Sequence, residues 1–433
     1  TVALVRPFRA WTYKRSSADI SELVAPPYDV ISPDQREVLL GRSERNVVAL
    51  ELPEGPVDPE VPGNRYETGA RRWNEWTHDG TLARDAMPTL YVLEQRYMQG
   101  TREVHRRAFI AEVELHAFDE GVILPHERTL PKALGDRFKL LEATAANLSQ
   151  VFGLFPDPER VTDSVFTAAM AGEPSIIATD DDDVVSTLWA VTDLDIISMV
   201  TSALADKQVF IADGHHRYTV ALAYRDQRRE ADAAIGATPA NPDHDFVMMA
   251  LVNMDDPDLV VLPTHRVADA PEGFSAEDFY AKLKVVFDVS ELAPGHPAGV
   301  LDGIARPAFL VKTASDERPL LAVLKADIDL DEVVGPDRSH AWKTLDVTVL
   351  LELVLDPIMG IHPDRPESLS RLHFVKDAHE ALKMTADHDV AFVLRPTRMD
   401  QMREVSLAGE VMPQKSTYFY PKLLSGLVMR GME

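Results

Sequence analysis

Apolar and polar positions change rhythm several times along this chain, and each rhythm predicts an element. Residues 65–80 place Trp73 and Trp76 three apart on one face and read as a helix. TLYVLEQRYM and EVHRRAFIAEVEL are β-rich runs that meet near Gln99-Gly100, which predicts a hairpin. From Leu134 to Leu148 the spacing is helical again. VFIA (209–212) is a short strand, and FVMMALVNM and LVVLP, within 246–263, are two more. AFLVK and LLAVL predict a second hairpin, followed by a helix near 345–355. AFVLR and a helix over 398–408 precede an aromatic C-terminal motif. PEGPVDPEVPGN (53–64) is punctuated like a long loop. The acidic run TDDDDV (179–184) reads as a solvated loop rather than a metal site. The mixture predicts an α+β or α/β chain without internal repeats.

Composition narrows the classes. With 433 residues, 45% of them hydrophobic, the chain can bury two or three cores. No cysteine is present, so disulfides, thiolate zinc sites and cysteine nucleophiles are excluded. TVALVRPFRAWTYKR lacks the apolar core of a secretion signal, and LDVTVLLELVLDPIMG is broken by Asp346, Glu352 and Pro357. The expectation is a soluble cytoplasmic protein without a membrane partner. The net charge of −26 opposes nucleic acid, so an anionic ligand needs a local basic site.

Three stretches supply such a site. FIADGHHRYTVAL (210–222) runs from strand through Asp213-Gly214 into a helical pattern. Helix N-termini carry amides without intrahelical partners, and Gly214 allows a ligand to approach closely. Arg217 can grip a phosphate or carboxylate with two bonds, and His215 and His216 can donate protons near neutral pH. Asp213 is either a helix cap or a magnesium ligand. ILPHERTLPKALGDRFKLLEATAAN (123–147) concentrates His126, Arg128, Lys132 and Arg137 around Glu127, a carboxylate able to deprotonate an alcohol. GEVMPQKSTYFYPKLLSGL (409–427) imitates a phosphate loop at Lys415-Ser416. However, Gln414 stands where that loop needs glycine, so Lys415 remains only a single phosphate contact.

PPYDVIS (26–32), ILPHERTLPK (123–132), IADGHHRYTVAL (211–222), NMDDPDLVVLPTHR (253–266) and PQKSTYFYPKLLSGL (413–427) resemble the domain-of-unknown-function-1015 family over nearly the whole chain. More distantly, LPHE followed by DGHHR is similar to the ParB/sulfiredoxin-type nucleotide-binding fold, and within it to the free serine kinases. The resemblance implies an α+β protein in three parts: an N-terminal α/β segment (1–100), a ParB/sulfiredoxin-like core (101–265) and a C-terminal α/β domain (266–433). It implies phosphoryl transfer involving a small hydroxyl metabolite, with serine and phosphoserine as the leading pair. Glu127 would be the general base. Asp213, Gly214, His215, His216 and Arg217 would handle phosphate and Mg2+, with Asp213 and His216 closest to the chemistry and ATP or ADP as donor. The chain departs from the kinases in the long interval between the two motifs. A phosphomonoester phosphatase and a non-catalytic sensor of a nucleotide or phosphorylated metabolite are the alternatives. The DNA-binding half of ParB proteins has no counterpart here.

Overall fold

The computed structural model describes residues 3–14, 19–129, 131–237, 239–292 and 298–432. Helices and sheets are mixed throughout. The chain divides into two compact units: Thr1–Pro125, Thr129–Val260 and Pro421–Glu433 form one, His126–Arg128 and Val261–Tyr420 the other.

In the first unit a nine-stranded sheet runs in the order Ile123–Leu124, Val209–Asp213, Val151–Phe155, Phe246–Asn253, Arg102–Glu114, Leu90–Gln99, Val185–Val191 and Ile176–Thr179. Val5–Arg6 pairs with Glu112 and Val113, beyond the end of the Leu90–Gln99 ladder. The hairpin expected at Gln99-Gly100 is present, with Gly100 at φ 62° in its turn. TDDDDV closes a second hairpin: Asp180 accepts the amides of Asp182 and Val184, and Asp183 takes φ 58°.

Period-2 alternation gives the long strand two different faces. Phe109, Ala111 and Val113 enter the main core with Val151, Ile211, Tyr218 and Leu251. Arg106 and Glu112 point to the opposite face, where the C-terminal segment lies. The Arg106 guanidinium donates to the Pro421 carbonyl, Gln95 to that of Lys422 and Gln150 to that of Leu424, while Arg430 pairs with Glu112. Trp73 and Trp76, on the helix Arg65–His78, pack in a separate cluster with Leu23, Val47, Leu140 and Leu148. The helix expected at 134–148 spans Pro131–Thr144 instead. Ala145 turns left-handed (φ 46°), and Ala146–Asn147 then pairs as a strand with Arg430–Gly431.

The second unit is built on an antiparallel six-stranded sheet. Its order is Phe287–Glu291, Leu320–Leu324, Ala308–Thr313, Val390–Val393, His265–Ala268 and Leu372–Val375. Phe279, Phe287, Phe309 and Phe392 form its aromatic core. The helix expected near 345–355 is α-helical over Asp346–Leu350 and widens to a π-turn over Leu351–Leu355, just before Pro357. Among the described residues no helix is long and apolar enough to cross a membrane.

Candidate functional site

The strand Val209–Asp213 presents the double-histidine motif. Its pairing runs Phe210↔Leu154 and Ile211↔Gly153, then shifts to Asp213↔Phe152. Such a bulge re-aims the strand end. Gly214 follows at φ 88°, and the helix His215–Ala234 begins there, the Tyr218 amide donating to the Gly214 carbonyl at 2.9 Å. A Cβ at position 214 would stand 3.0–3.1 Å from the Arg217 guanidinium. The backbone angle therefore calls for glycine, and a side chain here would also have to displace the Arg217 guanidinium.

Because Gly214 occupies the N-cap, Asp213 lies one residue too early to cap the helix, contrary to the first of its two expected roles. Its Oδ1 accepts the Gly214 N–H at 2.7 Å, and its Oδ2 accepts the Lys422 ammonium at 2.6 Å. Arg217 Nη2 stands 3.9 Å away. Burial pushes the Asp213 carboxyl up, but Lys422 and Arg217 outweigh it and hold the group well below the usual carboxylate range. This donor set does not fit a resident magnesium ion. It offers one carboxylate, already bonded on both oxygens, and two neighbouring cations that would repel a third. The same cations suit an oxyanion.

Arg217 and Arg106 are among the arginines of this unit that keep a buried guanidinium nitrogen without a hydrogen bond. Arg217 Nη1 donates to the Gln150 carbonyl, while its Nε is buried and makes no hydrogen bond. Arg106 is 1% exposed. It donates from Nη2 to Gln95 and Pro421 and lies 4.8 Å from the Phe152 ring centroid, but its Nε and Nη1 are buried without hydrogen bonds. Burial pulls Arg106 down to about 10, against the opposing pull of Tyr97 and Asp213, so it stays charged at neutral pH. Leaving a buried donor unsatisfied costs about 1–3 kcal/mol, more when it is charged, so a site of this kind gains strongly from an anionic acceptor.

Arg217 and Arg137 line one cavity of about 50 Å³ with Tyr28, Glu51, Asn147 and Ser149. Arg137 lies 4.3 Å from the Tyr28 ring centroid and donates to the Glu51 carbonyl and to Asp136. Burial pushes the Tyr28 hydroxyl up to about 12, partly offset by Arg217 and Arg137. Tyr28 opens a short 3-10 turn, as PPYD suggests. His215 is buried and His216 half-buried on the first turn of the long helix. The Lys132 side chain lies outside the described residues.

His126, Glu127, Arg128 and Lys415 belong to the second unit. His126 is 1% exposed, bonds through Nε2 to the Thr417 hydroxyl at 2.8 Å and meets Phe419 edge-on. Glu127 is half-buried and bridges Met412, whose amide donates to the His126 carbonyl. Arg128 lines a cavity of about 170 Å³ with Arg338, Trp342, Glu352 and His362. Lys415 is exposed, at φ 57°, and its carbonyl accepts Arg266 Nη2 at 3.0 Å. The helix Met399–Leu407, not a strand, precedes this segment, in keeping with the rejected phosphate loop. Burial pulls Arg266 down to about 10, with Glu127 opposing.

His265 is a structural acceptor whose Nδ1 takes the Leu394 amide at 3.1 Å. Burial, then Arg266, pull it from 6.5 to about 4, with Asp377 opposing. Below pH 6.5 the unfolded chain therefore binds a proton that the folded chain refuses until about pH 4. Stability is expected to fall by up to about 3 kcal/mol over that window on this account alone. Urea unfolding of the wild type and His265→Asn at pH 7 and pH 4.5 checks it. The variant should lose less stability on acidification, and equal losses would contradict the assignment.

Lys422, Arg106 and Gln150 escaped the sequence reading. Lys422 meets Asp213 across 209 positions, a pairing that no local pattern announces. Arg106 did leave a signal: it alternates in phase with Val104 and Ala108, both buried, on a face where an arginine is out of place unless it is bound.

Among solved structures, the chain is similar to a conserved hypothetical protein from Pyrococcus furiosus at 13% identity, covering 73% of this chain and 92% of that one with a TM-score of 0.33. A free serine kinase in complex with AMP is 14% identical, with 72% and 86% covered and a TM-score of 0.34. SbnI with C-terminal truncation from Staphylococcus aureus is 12% identical, with 72% and 85% covered and a TM-score of 0.33. These likenesses are too loose to transfer chemistry. No curated protein matches the chain. A family model does: the one described as a protein of unknown function, DUF1015, matches residues 5–348, and the chain belongs to that family.

Proposed function

We propose that the protein transfers a phosphoryl group to or from a small hydroxyl metabolite, with serine and phosphoserine as the leading pair. The turn Asp213–Arg217 holds the phosphate. The observation that carries this reading is that Arg217 keeps its buried Nε, and Arg106 its buried Nε and Nη1, without hydrogen bonds in a unit that also sets Lys422 against Asp213. Their charge, together with the amides that open the helix at Gly214, suits a phosphate oxygen in motion between two partners. In phosphoryl transfer the protein contributes chiefly positioning and charge stabilisation, which is what fixed guanidinium groups supply.

His215, His216 and Arg217 contact the phosphate. Asp213 orients Lys422 and the Gly214 amide, and no step is assigned to magnesium. By the motif resemblance, Glu127 would be the base that accepts the hydroxyl proton, a ParB/sulfiredoxin-like core would span 101–265, and ATP or ADP would be the donor. A coupled assay tests the reading. Purified protein is offered serine with ATP or ADP, and separately phosphoserine without nucleotide. Nucleotide-dependent formation of phosphoserine supports a kinase, and release of inorganic phosphate without nucleotide supports the phosphatase direction of the same site. Tight nucleotide binding without turnover on any hydroxyl substrate would overturn catalysis in favour of a sensor.

A further inference from the structure

Asp269, His373 and His388 meet at one end of the six-stranded sheet. Three adjacent strands bring them there, in the order Val390–Val393, His265–Ala268 and Leu372–Val375. His373 lies opposite Val267, Asp269 immediately follows the middle strand, and His388 precedes the strand Val390–Val393 by two residues. Asp269 Oδ1 is 2.7 Å from His388 Nδ1, and its Oδ2 is 3.3 Å from His373 Nε2. The imidazole centroids are 4.3 Å apart. One donor atom from each residue lies within 4.8 Å of the other two.

We propose that these three side chains bind a divalent transition-metal ion of the zinc type. Zinc takes nitrogen and carboxylate ligands at about 2.0–2.2 Å, which sets tetrahedral donors roughly 3.3–3.6 Å apart. The His373–Asp269 separation of 3.3 Å already fits, and the His388–Asp269 contact of 2.7 Å needs to open by roughly 0.6–0.9 Å. Two imidazoles and one carboxylate select zinc, copper or nickel over magnesium or calcium, which prefer all-oxygen shells.

The backbone beneath the donors is pinned. The Asp269 amide donates to the Arg371 carbonyl at 2.9 Å, and Arg371 Nη1 donates back to the Asp269 carbonyl at 3.2 Å. The Ala270 amide donates to Asp389 at 2.7 Å, and the His388 amide to the Met384 carbonyl at 2.9 Å. Metal sites need support of this kind to hold their ligands in place. The side chains of Asp269, His373 and His388 are 39%, 37% and 22% exposed, so the remaining coordination positions open to water or to a substrate oxygen. That is the layout of a three-ligand catalytic zinc site rather than a closed structural one. The site is independent of the phosphoryl-transfer reading. Sequence spacing conceals it, because its members stand at 269, 373 and 388.

Chelator-stripped full-length protein should bind one Zn2+ per chain in competition with a chromogenic chelator. His373→Ala, His388→Ala and Asp269→Asn should each weaken binding on the order of 100-fold, since even outer partners of metal ligands are worth 10–100-fold. Co2+ should give visible absorption that the variants lose. The exposed His373→Gln variant, with metal-free circular dichroism and unfolding midpoint like the wild type, separates loss of binding from loss of fold. Absence of stoichiometric Zn2+ binding, or affinity unchanged in all three variants, would overturn the site.

Discussion

Glu127→Gln is expected to slow phosphoryl transfer by about 10²–10⁴-fold, the usual contribution of a general base. Glutamine keeps the length and planarity of the side chain and removes only the ability to accept a proton. The backbone at 127 is held by its bridge to Met412, and nearby Arg266 fixes the Gln414 and Lys415 carbonyls, so the substitution leaves the local scaffold in place. Nucleotide affinity should stay close to that of the wild type while kcat falls, because a base acts in the transition state rather than in ground-state binding. Steady-state and single-turnover rates on the authentic substrate read both quantities. A variant with full kcat removes Glu127 from the chemistry.

The largest expected effect on stability comes from Glu112. This carboxylate pairs with Arg430, 1% exposed, and with Arg6, whose guanidinium lies 3.6 Å from the Phe246 ring centroid. Arg430 also donates to the carbonyls of Asp243 and Phe246, which ties the C-terminal segment to the main sheet. Glu112→Ala removes the close counter-charge of a buried guanidinium and leaves only Asp243 at 4.0 Å, and breaking a buried pair in this way costs about 3–5 kcal/mol. Urea unfolding measures the loss. A change below about 1 kcal/mol, the worth of a surface pair, would show that water reaches this network. The consequence extends to the candidate site, because the segment that ends at Arg430 also carries Lys422 to Asp213.

How much the sequence reveals depends on the range of the interaction. The hairpin at Gln99-Gly100, the strand ending at Asp213 and the helix carrying Trp73 and Trp76 follow from local periodicity and turn chemistry, and they are found where that pattern puts them. The helix Pro131–Thr144 ends earlier than its spacing suggests because Ala146–Asn147 is claimed by a strand near the far end of the chain. That Gly214 and Arg217 are residue types suited to an anion is legible locally. The partner that holds Asp213 is not, since its ammonium arrives from a segment more than two hundred residues away. The cap was misplaced by one residue because the bulge between Ile211 and Asp213 is a property of sheet register, which one strand's sequence does not contain. The three members of the Asp269 cluster lie on or just beside the ends of neighbouring strands yet are dispersed along the chain, so only strand order brings them into view.

Anion binding at the Asp213–Arg217 turn is tested most directly by calorimetric titration of wild-type protein and Arg217→Gln with ADP and with inorganic phosphate. Loss of a charge-assisted, partly buried contact of this type is worth roughly 1.5–3 kcal/mol, so the variant should bind about tenfold to a hundredfold more weakly while keeping its wild-type fold by circular dichroism. Equal affinity of the two proteins for both ligands would contradict a phosphate site at this turn.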